Sequence, residues 1–223
     1  MIYTVTLNPA LDKTVQIPSF RLGEVNRISA MRTDPGGKGI NVSKVLRELG
    51  EPSVAAAILG GAAGQKIESA LRALGIEGMY LFTEHETRTN LKIVDPTLHT
   101  NTDVNEPGAP ADEAVLSKLL TQLTDRLRPG DLVVLSGKAP AGAPDTLYRD
   151  WILACRAAGA AVYLDAEGEL LRQGVTAGPA LIKPNQAELS GVMGRPLTTE
   201  DETIRAAQEL LAQGVGCVAV TMG

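Results

Sequence analysis

Short apolar runs alternate with amphipathic stretches along most of the chain. Ile2 to Leu7 is an apolar, β-branched run that stops at Asn8-Pro9 and predicts a buried strand. Val54–Leu59, Leu132–Leu135, Ala161–Leu164, Ala180–Ile182 and Cys217–Thr221 read the same way. Between these runs apolar residues return at helical spacing. Val42, Val45, Leu46 and Leu49 form one such stripe, stopped by Gly50, and Ile67, Ala70, Leu71 and Leu74 form another, stopped by Gly75. Leu116, Leu119, Leu120, Leu123 and Leu127 define a longer amphipathic helix, and two more helices are expected over residues 144–158 and about 200–213. Apolar strands alternating with helices predict a mainly parallel sheet covered on both faces.

Two polar stretches break this rhythm. Residues 13–34 alternate apolar and polar side chains, with Pro18 and Gly23 between them, and residues 88–105 do so around a turn near Asp95-Pro96. They predict two hairpins that form one small separate sheet, a lid assembled from two insertions. On this division residues 1–11, 36–87 and 106–223 make an α/β core, and residues 12–35 and 88–105 make the β lid. The last predicted strand is followed at once by Gly223, where ligands bind in parallel sheets, so the core is expected to be C-terminally incomplete.

Composition narrows the class. With 223 residues, 44% hydrophobic and 21% charged, the chain can bury a core without staples. Cys155 and Cys217 are far apart and suit a reducing compartment better than a disulfide scaffold. His85 and His99 lack zinc-site spacing. A net charge of −5 leaves no broad basic footprint for nucleic acid, and no apolar run suits a signal peptide or a membrane span.

The densest chemical signal is Gly36-Gly37-Lys38-Gly39-Ile40-Asn41, which runs into a helix. Glycines let a ligand approach the backbone closely, the helix N-terminus adds positive potential, and Lys38 adds a mobile ammonium. Three glycines around one lysine exceed what a tight turn needs. Arg32 stands where a Walker A loop has its first glycine, and no Gly-x-Gly-x-x-Gly occurs, so a nicotinamide oxidoreductase lacks its fingerprint. Asp12, just past the first strand, can accept bonds from two neighbouring sugar hydroxyls, although alone it reads more simply as a turn residue. Arg27, Arg88 and Lys38 are candidates for a phosphate clamp, against the simpler reading of solvated surface charges. In Lys183-Pro184-Asn185-Gln186-Ala187-Glu188, Asn185 and Glu188 share a helix face. They either order a magnesium shell around nucleotide phosphates or form an N-cap with a first-turn Glu. Ser136 and Asp165 also end strands, and a cap is the simpler reading for each.

In order, these motifs resemble the ribokinase-like PfkB family of carbohydrate kinases over all 223 residues. The resemblance rests on Thr6-Leu7-Asn8-Pro9-Ala10-Leu11-Asp12, the Gly36–Ser43 stretch, Thr87-Arg88-Thr89-Asn90, Thr102–Gly108 and Lys183–Glu188. It implies a three-layer αβα fold with a small β-sheet lid. The implied activity is transfer of the ATP γ-phosphoryl group, with Mg2+, to a ketohexose monophosphate, fructose 1-phosphate first and tagatose 6-phosphate second. Asp12, Gly37, Asn41 and Ser136 would bind sugar hydroxyls. Lys38 and Arg88 would hold the substrate phosphate, with Arg27 reaching across a dimer. Asn185 and Glu188 would serve Mg-ATP, with Lys183, Thr221 and Gly223 along the nucleotide. A cytoplasmic homodimer paired through the lid is implied. The family's catalytic aspartate belongs to a Gly-Ala-Gly-Asp stretch that these residues do not contain, and around Ser136 the usual Gly-Ser-Leu-Pro is replaced by Gly137-Lys138-Ala139-Pro140. A chain that truly ended at Gly223 would instead be a sugar-phosphate-binding module without catalysis.

Overall fold

The computed structural model describes residues 1–222. Six parallel strands form the main sheet: β1 (Ile2–Thr6), β4 (Ser53–Gly60), β5 (Glu77–Thr83), β8 (Leu132–Ser136), β9 (Ala161–Asp165) and β10 (Leu181–Ile182), in the order β10-β9-β8-β1-β4-β5. β1 is central because both its faces and both its edges are used: it pairs with β4 on one side and β8 on the other. On one face Tyr3, Val5, Leu7, Val54 and Ala56 pack under α3 (Glu113–Arg126) and α4 (Leu147–Ala157). On the other, Ala55, Ala57 and Leu59 pack under α1 (Lys38–Glu48) and α2 (Gly61–Ala73). Burial on both faces is why these strands read as continuous apolar runs rather than alternating ones. The polar exceptions are paired internally: the hydroxyls of Thr4 and Ser43 lie 2.7 Å apart, and Ser53 donates to Ser43 at 3.0 Å, stitching β1, α1 and β4 together.

A second sheet is built from β2 (Ala10–Gln16), β3 (Ala30–Gly36), β6 (Thr89–Asp95) and β7 (Thr100–Asn105), in the order β3-β2-β6-β7. Each hairpin is antiparallel, and the two are joined through a parallel β2–β6 ladder that sets Asp12 against Asn90. The two polar stretches thus share one sheet. Three details differ from the sequence reading. β5 and α5 (Gly168–Val175) were not anticipated, because Glu77-Gly78 weakens the strand pattern and α5 is only two turns long. The run 217–221 forms isolated bridges, Ile182 to Val218 and Asn185 to Thr221, rather than a strand, since β10 offers only two residues to pair with. α6 (Gln186–Met193) and α7 (Glu200–Ala212) complete the chain before those bridges.

Asp95 closes the second sheet at its tip. Its buried carboxylate accepts backbone N–H bonds from Ser19, Phe20, Thr97 and Leu98 at 2.7–3.1 Å. Burial pushes its pKa up, but the four N–H donors outweigh it and hold the carboxyl below its ordinary value. A depressed folded pKa stabilises above the unfolded value of about 3.9 and is lost as pH falls through the folded one. The amide resonances of Phe20 and Leu98 are therefore expected to shift together only below about pH 4; a common inflection at higher pH would contradict this.

Candidate active site

The glycine turn is dictated by close approach to β1. Gly37 is the N-cap of α1 with φ 117°, a left-handed conformation that disfavours any side chain. A Cβ there would lie 2.5 Å from Thr6 Cγ2, and one on Gly39 would lie 2.5 Å from both Val5 O and Thr6 Oγ1. The Ile40 N–H donates to Thr6 Oγ1 at 2.9 Å, locking the start of α1 onto the carboxyl end of the central strand. Gly36 is bare for a different reason, because a Cβ there would sit 2.0 Å from Asp12 Oδ2.

Asp12 is half-buried and lines a cavity of about 510 Å³ with Thr14, Asp34, Lys44, Asn90 and Asn105. Its Oδ1 accepts from Asn90 Nδ2 at 2.9 Å. Asn41, in the first turn of α1, is exposed and near Lys44, whose Nζ donates to Pro35 O at 3.2 Å and reaches Asn41 Oδ1 at 3.5 Å. The turn, Asp12 and Asn41 are thus joined around one rim.

Arg88 stands against the Asn8-Pro9 backbone and lines a different cavity from Asp12. Its guanidinium donates to the carbonyls of Pro9 (3.3 Å), Asn8 (3.2 Å) and Glu106 (2.9 Å). Burial pulls its pKa down, and the charges of Asp12 and Glu106 oppose that shift. It lines a second cavity of about 500 Å³ with Asn8, Phe82 and Glu86. Arg27 is exposed in the connection between β2 and β3.

Lys38 and Lys183 meet at Asp165. Lys38 Nζ lies 2.9 Å from Asp165 Oδ1, and Lys183 Nζ lies 3.2 Å from Asp165 Oδ2. Asp165 is therefore not a helix cap, the simpler sequence reading; the residue at the N-cap of α5 is Glu167. Ser136 stands beside Asp165 in register, and its hydroxyl is buried with no hydrogen-bond partner among the described residues. It caps no helix either, since α4 begins at Leu147 with Thr146 at its N-cap. An orphaned buried hydroxyl at a strand's carboxyl end costs stability unless a ligand or water satisfies it.

Asn185 and Glu188 form a complete capping box on α6, with Asn185 Oδ1 accepting from Glu188 N and Glu188 Oε2 accepting from Asn185 N, both at 2.8 Å. That is the cap arrangement of the two sequence readings, and it leaves Glu188 Oε1 outside the box. Among the described residues no group of three or more His, Cys, Asp or Glu is placed to hold a metal ion. One carboxylate oxygen suits a water-keeping cation that arrives on phosphates, not a caged one. Thr221 joins this corner through its N–H to Pro184 O at 3.0 Å. Gly223 lies outside the described residues. Lys44 and Asn90 were missed as individual site neighbours, whereas Asp165 is named in the sequence reading with a cap preferred. For Asn90 the signal was its place in the Thr87–Asn90 run, and for Lys44 its one-turn spacing from Asn41.

Fold and site together define an α/β protein with glycine-turn, carboxylate, amide and cationic groups gathered near the carboxyl ends of a parallel sheet. The chain belongs to the pfkB family of carbohydrate kinases, whose model matches residues 5–223. It is 40% identical to the 1-phosphofructokinase of Rhodobacter capsulatus over 223 residues, covering all of this chain and 71% of that protein. The Bacillus subtilis 1-phosphofructokinase is 36% identical, covered to 72% of its length. Phosphofructokinase-2 of Escherichia coli, solved in complex with fructose-6-phosphate, superposes with a TM-score of 0.94 at 32% identity, covering the whole of this chain and 74% of that one. The same enzyme has also been solved in a tetrameric inhibited form. No helix among the described residues is long and apolar enough to cross a membrane.

Proposed function

We propose that this chain serves an ATP-dependent 1-phosphofructokinase, passing the γ-phosphoryl group of ATP to the free primary hydroxyl of fructose 1-phosphate to give fructose 1,6-bisphosphate. The observation that carries the reading is 40% identity, along the whole chain, to a 1-phosphofructokinase. In the step, the bond from the γ-phosphorus to the ADP oxygen breaks, a new phosphorus–oxygen bond forms to the sugar, and the hydroxyl proton passes to a base. The protein's share is positioning and charge neutralisation.

Asp12, Gly37, Asn41 and Ser136 take the sugar hydroxyls, and the unpartnered Ser136 hydroxyl supports that role. Lys38 and Arg88 take the sugar's phosphate, with Arg27 contributed across a dimer. Lys183, Asn185, Glu188, Thr221 and Gly223 would serve Mg-ATP, with Asn185 and Glu188 the residues that would hold the hydrated cation and so help neutralise the charge of the phosphates. Lys38 and Lys183 exchange their shared partner Asp165 for phosphate oxygens on binding. The second sheet closes over the sugar and pairs two copies, and the enzyme works in the cytoplasm. No base is assigned within these residues, so binding tests the chain and turnover tests the full-length protein. By calorimetry the chain is expected to bind fructose 1-phosphate more tightly than tagatose 6-phosphate or fructose 6-phosphate, and a coupled assay of the full-length protein should rank them the same way. Preference for another ketose phosphate would replace the acceptor; binding of none would end the reading.

A further inference from the structure

Asn90 is placed to do something that none of the roles above requires of it. It sits directly across the β2–β6 ladder from Asp12, and its Nδ2 donates to Asp12 Oδ1 at 2.9 Å. Its own Oδ1 faces Arg88 Nη1 at 3.5 Å. The amide therefore bridges the carboxylate and the guanidinium of two candidate ligand-binding residues. Which end of the amide is oxygen follows from those partners: the carboxylate can only accept and the guanidinium can only donate. The other carboxylate oxygen, Oδ2, lies against the bare Cα of Gly36. Asp12 is held at Oδ1 by the Asn90 amide, while the missing side chain of Gly36 leaves room for Oδ2, so the bond from Asn90 is what sets the carboxylate's orientation.

We infer that Asn90 is a positioning residue that orients the Asp12 carboxylate for sugar hydroxyls and ties that orientation to Arg88. The inference rests on Asp12 being the hydroxyl acceptor of the proposed function. Asparagine is suited to the position because its short side chain donates at one end and accepts at the other. Aspartate would set two carboxylates against each other, and leucine would leave both partners unanswered.

The test is a double-mutant cycle read by calorimetry with fructose 1-phosphate, using the chain and its Asn90→Ala, Asn90→Leu, Asp12→Ala and Asp12→Ala/Asn90→Ala variants. Asn90→Ala and Asn90→Leu are each expected to weaken binding about tenfold or more, the scale of losing a hydrogen bond to a charged group. In the Asp12→Ala background the same change should cost almost nothing, because Asn90 acts through Asp12. A purely structural role would give the same loss in both backgrounds and would overturn the inference, as would wild-type affinity in both Asn90 variants. The Asn90 side-chain amide resonance supplies a ligand-free readout: it should move on Asp12→Ala, and if it does not, the bond is absent and the inference falls. If it moves but the parent chain binds no ketose phosphate, the proposed function fails and takes the inference with it.

Discussion

Replacing Asp12 by alanine is expected to weaken fructose 1-phosphate binding by about a hundredfold or more while leaving thermal stability nearly unchanged. A carboxylate that accepts from two sugar hydroxyls makes two charge-assisted bonds, each worth about 1.5–3 kcal/mol, so losing both costs about 3 kcal/mol at the least. The folded chain loses much less. Asp12 is half-exposed and stands in register with Asp34, so removing it relieves a like-charge pair even as it frees the Asn90 amide to hydrate. The net effect on unfolding should stay within about 1 kcal/mol. Calorimetry and a thermal melt on one preparation separate the two quantities. Affinity within threefold of the parent would remove Asp12 from the sugar site.

Gly39→Ala should do the opposite, harming the fold first. The added methyl meets Val5 O and Thr6 Oγ1 at 2.5 Å, and Val5 belongs to the central strand, whose backbone is fixed by ladders on both edges. Neither neighbour is the free end of a flexible side chain, so α1 must lift off the sheet. Overpacking of this kind costs about 3 kcal/mol, which in a chain of this size lowers the melting temperature by about 6–12 °C. Gly191→Ala is the matched control: it lies within α6, with open space around its Cα, and should be neutral or gain up to about 1 kcal/mol. Equal melting temperatures for the two variants would show that the turn can yield.

Much of this architecture was legible because it is locally encoded. The β1, β4, β8 and β9 runs are apolar on both faces, and Gly37 announces the start of α1 by its position before a helical stripe. Asn185 and Glu188 lie one turn apart, so their pairing could be read as a cap without knowing the fold. What escaped was set by distance along the chain. The partnership of Lys38 with Asp165 spans 127 positions and appears only once β1, β8 and β9 lie side by side. The orphaned Ser136 hydroxyl is equally invisible in sequence, since being unpartnered is a property of its surroundings. The run 217–221 failed as a strand for a related reason: its apolar pattern is adequate, but pairing depends on a neighbour only two residues long.

The parallel ladder between β2 and β6 also has a kinetic meaning. The β2–β3 hairpin can close from its own short connection, but Asp12 and Asn90 are 78 positions apart, with α1, β4, α2 and β5 between them. Bringing such distant strands together carries a large loop-closure entropy unless the intervening segment has already collapsed. The pairing of Asp12 with Asn90 is therefore expected to form late, on a scaffold that is already in place, so that a chain caught before that step would hold its glycine turn with the Asp12 carboxylate beside it still unpaired.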